Sequence, residues 1–157
     1  MVQTLPSTAR VWVYQSSRAL AAEEIASIER ALGVFVRQWT SHNAQLRAAG
    51  EVRHGRFIIL AVDERQAGAS GCSIDQSVAF MKSLQASLGI DLFDRMCFTY
   101  LEGDEVRSAG RETFSALFAR GEINDSTLVF DTLVDTAGRL QEEFIKPLGQ
   151  SWHKRLI

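Results

Sequence analysis

Three observations on the 157-residue chain predict an α+β fold. Short clusters rich in β-branched and aromatic residues alternate with longer stretches whose apolar residues recur every three or four positions. In order, the first six of these elements read strand, helix, strand, strand, helix, strand. The longest unbroken apolar run, Phe57 to Val62, lies in the strongest strand of the chain, 56–62, and falls far short of the roughly 20 residues that span a bilayer.

Val11-Trp12-Val13-Tyr14 reads as the first strand, and its apolar continuity predicts cover on both faces. Ile25, Ile28, Leu32, Phe35, Val36 and Trp39 then form one stripe of a helix over 21–39. Glu23 and Glu24 suit the positive end of this helix, although Ala21 brings no capping oxygen. Leu46 to Arg53 and Arg56 to Val62 make a hairpin around His54-Gly55. After a polar connector, Ile74, Val78, Met81, Leu84 and Leu88 mark a helix over 74–88, with Ser73 and Gln76 as a capping box and Gly89 as its stop.

Met96 to Leu101 is the next strand, Glu102-Gly103-Asp104 a turn, and Glu105 to Ser108 a short strand. A helix through Phe114, Leu117 and Phe118 ends at Gly121, Thr127 to Phe130 is a strand, and a last helix through Ala137, Leu140 and Phe144 stops before Pro147. This order predicts a ferredoxin-like split β-α-β core over about 10–101 with a C-terminal β-α-β-α extension, all within a single domain of 1–157.

With 46% hydrophobic and 23% charged residues, the composition excludes long disorder and a disulfide scaffold. A net charge of -2 argues for neither nucleic acid nor an anionic membrane as partner. No basic segment followed by an apolar one opens the chain, which places the protein in the cytoplasm, with Cys72 and Cys97 as free thiols. His42, His54 and His153 share no ligand spacing with each other or with the cysteines, so neither a metal nor a cofactor is expected.

In the split β-α-β arrangement, the loop holding Trp39-Thr40-Ser41-His42-Asn43 and the connector from Asp63 to Asp75 lie at the same end of the sheet. Two readings of that end follow. In the first it binds a small anion or a peptide, using Trp39, Asp75 and the backbone of Gly68, Ser70, Gly71 and Ser73 as a nest at a helix start. In the second Cys72, immediately before the expected cap, is a nucleophile or redox thiol, with His42 as base and Asp63 orienting it. Cys72 serves equally as a small apolar plug at the helix start, and the connector as an ordinary loop. A P-loop hydrolase is excluded, because no G-x-x-x-x-G-K-[ST] run exists. The G-x-S-x-G serine-hydrolase pattern fails at Cys72, which stands where its last glycine belongs.

VWVYQSSR (11–18), QWTSHN (38–43), RFIILAVDERQAGASGCSIDQSVAFMK (56–82), TLVFDTLVDT (127–136) and SWHKR (151–155) resemble a family of uncharacterised bacterial proteins sometimes labelled ABC transporter ATPases. The resemblance spans nearly the whole chain and implies no activity. The ATPase label lacks both the P-loop and an LSGGQ-type signature in this sequence. Residues 100–130 are also similar to the small GYF-type peptide-binding modules, without their glycine-tyrosine-phenylalanine hallmark. A binding or interaction protein is therefore the first expectation, a Cys72-dependent enzyme the alternative, and a homodimer a further possibility.

Overall fold

The computed structural model describes residues 1–157 and is an α+β fold with two main antiparallel sheets and one two-stranded hairpin. The first sheet holds β1 (Arg10–Gln15), β4 (Arg47–Arg53) and β5 (Phe57–Asp63) in the order β1-β5-β4. Because β5 runs antiparallel to both neighbours, β1 and β4 are parallel to each other, as a right-handed split β-α-β unit requires. All seven residues of β5 are buried, which explains its continuous apolar run. The β4–β5 turn has positive φ at both His54 and Gly55 (55° and 60°), the backbone of a type I′ hairpin.

Helices α1 (Ala22–Gln38) and α2 (Gly71–Leu88) cover one face of this sheet. Ile28, Leu32, Trp39, Ile58, Leu60, Val62 and Met81 form the core between them. A Cβ on Gly50 would stand 3.1 Å from Leu32, so glycine lets α1 approach β4 closely. Glu24 supplies its own half of a capping box by accepting the Ala21 N–H at 2.9 Å, while Ala21 has no oxygen for the other half. Arg18 pairs with the same carboxylate, and its hydrogen bonds hold Glu24 down at about 2. Between α1 and β4 the expected loop closes into a miniature hairpin, β2 (Thr40–Ser41) and β3 (Ala44–Gln45). His42 and Asn43 take the two positive-φ turn positions, 50° and 66°.

The split β-α-β expectation holds for the first three strands and is corrected at the fourth. Strand β6 (Cys97–Glu102) does not join β1. It forms a second sheet with β7 (Glu105–Gly110), β8 (Leu128–Phe130) and β9 (Ile145–Pro147), in the order β7-β6-β8-β9. The tight turn at Gly103 gives β6 a six-pair ladder with β7, and β8 takes its other edge, so both sides are filled by later parts of the chain. The extension then runs through α3 (Arg111–Ala119) and α4 (Ala137–Glu143). Pro147, expected only to stop a helix, lies in the edge strand β9, where a missing N–H is tolerated.

Two further cores follow. Phe98, Tyr100, Phe114, Ile123, Val129 and Leu148 pack α3 against the second sheet. Between the sheets, Val11, Phe57, Ile59 and Ala61 from the first meet Phe130, Val134, Leu140 and Phe144 from the C-terminal part. No helix is long and apolar enough to cross a membrane.

Candidate functional site

The cap of α2 lies one turn earlier than its sequence pattern suggests. Ser70, not Ser73, is the N-cap: its Oγ accepts the Ser73 N–H at 3.2 Å, and Ser73 Oγ accepts the Ser70 N–H at 2.5 Å. Cys72 therefore sits inside the first turn, exposed, rather than ahead of the cap. The Ala69 N–H is taken by Glu64 Oε2 at 2.9 Å, and a Cβ on Gly68 would stand 3.0 Å from that oxygen. The Ser70 and Ser73 amides of the expected nest, and the Ala69 amide between Gly68 and Ser70, thus already hold oxygens of the chain, one of them a carboxylate that repels an incoming anion. Gly71 and Asp75 lie in the opening of the same helix.

Trp39 is 1% exposed, and its Nε1 donates to Ser73 O at 2.8 Å, which makes it a pin between α1 and α2 rather than a ligand wall. Asp63 is buried and accepts from Arg65 N (3.2 Å), Arg65 Nε (3.0 Å), Arg65 Nη2 (2.8 Å) and Arg47 Nη1 (3.4 Å). The Arg65 hydrogen bonds come first among the causes that hold this carboxyl below its usual range. His42 is exposed on the turn of the small hairpin. No hydrogen bond joins Cys72, His42 and Asp63. Iodoacetamide is expected to label exposed Cys72 roughly tenfold faster than half-buried Cys97, whose thiol burial pushes up. Mass spectrometry of each cysteine checks this, and faster labelling of Cys97 would contradict it.

A groove of about 350 Å³ lies elsewhere, along the outer edge of β1. Its first wall is β1 itself, and its second is the Thr132–Asp135 segment that leaves β8. Leu92, Phe93 and Arg95 close one end, and Trp152 lines its depth. At the opposite end the two walls meet as antiparallel strands: Val11 N donates to Asp135 O (3.0 Å) and Ala137 N donates to Ala9 O (2.9 Å), flanking an Arg10–Thr136 bridge. The second wall then peels away, because Asp131 Oδ1 accepts the Leu133 N–H at 2.9 Å and turns that segment outward.

The parting leaves a row of backbone groups without partners. Ser16 N donates to Arg56 O, so the even-numbered residues of β1 face β5 and the odd-numbered ones face the groove. The N–H groups of Val13 and Gln15, with the C=O groups of Val11, Val13 and Gln15, have no hydrogen-bond partner in the chain. Trp12 and Tyr14 stand on one side of this edge, packed edge-on against Trp39 and Phe93 at 5.8 Å each. The exposed Leu133 rims the other side.

The far end of the groove is held by a directed chain of hydrogen bonds. The Arg56 guanidinium donates to Ser108 Oγ, which lies 3.0 Å from Thr99 Oγ1. Thr99 Oγ1 donates to Gln15 Oε1 (2.5 Å), and Gln15 Nε2 donates to Cys97 O (2.6 Å). Thr99 spends its one proton on Gln15, so Ser108 is the donor in the middle link. The chain fixes the distance between β1 and β6 and stops the groove from collapsing.

Asp131 braces the second wall. It is buried, pairs with Lys146 Nζ at 2.7 Å and accepts Trp152 Nε1 at 2.9 Å. Despite burial, these contacts hold its carboxyl below the usual range. The basic end of SWHKR does not form a free tail: Trp152 stacks on His153 at 3.8 Å, and Lys154 Nζ lies 4.0 Å above the Phe118 ring.

The expected site lies in the α2 connector, whereas the groove is built from VWVYQ, TLVDT and Trp152. No protein-family model, curated protein or solved structure matches this chain, so its geometry carries the functional reading.

Proposed function

We propose that the protein is a binding module that takes up an extended peptide segment by strand addition to β1. The observation that carries this reading is the run of unpaired backbone groups at Val11, Val13 and Gln15 inside an apolar groove. An open sheet edge recognises any extended chain through its main chain, while the walls select among side chains. The open stretch of β1, Val11 to Gln15, is about 14 Å long, so it accommodates four or five strand residues.

The same shape argues against a homodimer through this edge. Each edge is one wall of a groove and is screened by the opposite wall from a second copy of itself, whereas a flexible segment from another protein can enter. We place the protein in the cytoplasm, where Cys72 and Cys97 stay reduced.

Selection from a random heptapeptide display library, followed by amide exchange of the bound protein, tests the reading. The expected result is enrichment of proline-poor, strand-forming sequences and slowed exchange at Val13 and Gln15. Protection confined to the α2 connector, or no enrichment at all, would overturn it.

A further inference from the structure

We infer that the segment β1 accepts is an acidic one, with carboxylates on its Trp12/Tyr14 side and apolar side chains facing Val13, Leu133 and Trp152. This rests on the strand-addition reading and adds the chemistry of the partner. Of the charged groups lining the groove, Asp135 is already paired with Arg139 at 3.1 Å, and Asp94 Oδ1 accepts the Met96 N–H at 2.9 Å. Arg10 and Arg95 form no ion pair and no side-chain hydrogen bond.

Both arginines stand on the aromatic side of the edge. The exposed Arg10 holds its guanidinium 4.7 Å over the Trp12 ring, a contact that uses none of its N–H donors on an acceptor. Arg95 lines the opposite end of the groove, two residues after Phe93, whose ring packs on Tyr14 at 5.8 Å. Arg10 and Tyr14 are four residues apart on one face, so cations at these two ends are spaced for acidic side chains four residues apart on the same face of a paired strand. Behind the closed end lies Arg56, 8% exposed, with a neutral hydroxyl for its side-chain partner. That buried cation joins Arg10 and Arg95 against the carboxylates of Asp94 and Asp135 on the groove, in a protein whose net charge is -2.

Apolar groups fill the other side. A strand paired with β1 points its remaining side chains past Val13 toward Leu133, Val134 and Trp152. Alternation of acidic and β-branched residues meets both demands at once.

Fluorescence anisotropy with fluorescein-labelled Glu-Val-Glu-Val-Glu-Val, Lys-Val-Lys-Val-Lys-Val and an acidic peptide N-methylated at alternate residues tests the inference. The acidic peptide is expected to bind at least roughly tenfold more tightly than the basic one, although the overall charge of the protein favours the latter. R10Q and R95Q are each expected to weaken acidic binding roughly two- to fivefold, as exposed ion pairs do, with the circular dichroism spectrum unchanged. N-methylation is expected to abolish binding. Equal or tighter binding of the basic peptide, with Val13 still protected on binding, would overturn the acidic preference and leave strand addition standing. Acidic binding that survives N-methylation, or no binding by any of the three, would overturn both.

Discussion

Phe57→Ala is expected to lose about 3–5 kcal/mol of folding stability, the cost of emptying a fully buried aromatic site. Phe57 has no exposed surface, and its ring centroid lies 4.9 Å from Phe130 and 5.0 Å from Phe144. Those two residues belong to the C-terminal half, whereas Phe57 opens the central strand of the first sheet. The cavity would therefore open at the joint between the sheets, where little can relax to fill it, because β5 is held by ladders on both edges. For a chain of this size the loss corresponds to a fall in melting temperature of roughly 10 °C. A urea titration with an unchanged slope checks it. A loss below about 1 kcal/mol would mean that the two sheets do not share a core.

Acidification from pH 7 to pH 4 is expected to remove about 3 kcal/mol through His153 alone. This side chain is 1% exposed, stacks on Trp152 and lies 4.9 Å from Phe98, with Nδ1 at 2.6 Å from Ser151 Oγ. Burial comes first among the causes that push it down to about 4, and nearby Asp131 only partly opposes the shift. In the unfolded chain the imidazole takes a proton near pH 6.5, which the folded protein refuses until about pH 4. Stability is therefore complete above pH 6.5, falls between 6.5 and 4, and gains no further loss from this group below that. His54 is shifted the same way by burial and adds to the same window, whereas the lowered carboxyls of Asp63 and Asp131 act below it. Denaturant midpoints across this range should show a distinctly shallower slope in His153→Gln than in the parent. Parallel slopes would remove His153 from the account.

How much of this was legible in the sequence depended on whether the signal was local. The helical stripes and the β4–β5 hairpin follow from periodicity and turn chemistry, and both are present. The partner of β6 was not legible, because an apolar strand does not say whether it pairs backward with β1 or forward with β7 and β8. The cap of α2 was misplaced because Ser70 and Ser73 both offer hydroxyls, and Ser73 serves as the responding residue of the box, not as its start. Strand β9 was hidden behind Pro147, which reads as a helix stop whether or not an edge strand follows.

The expected site and the groove differ for a related reason. The connector around Cys72 collects every local sign of a site, namely glycines, a thiol and carboxylates, yet the chain itself occupies the amides of Ala69, Ser70 and Ser73. An open edge carries no such sign. Val11-Trp12-Val13-Tyr14 looks the same whether its outer side is paired or free, and only the departure of the Thr132–Asp135 segment decides it.

Hydrogen exchange of the β1 amides in the free protein, read residue by residue by NMR, tests the open edge most directly. Trp12 and Tyr14, which face β5, are expected to exchange near the slowest rates in the molecule, and Val11, bonded to Asp135 O, at an intermediate rate. Val13 and Gln15 should exchange at least roughly a hundredfold faster than Trp12 and Tyr14. Protection of Val13 and Gln15 equal to that of Trp12 and Tyr14 would show that the edge is already paired, and would contradict both the groove and the function proposed for it.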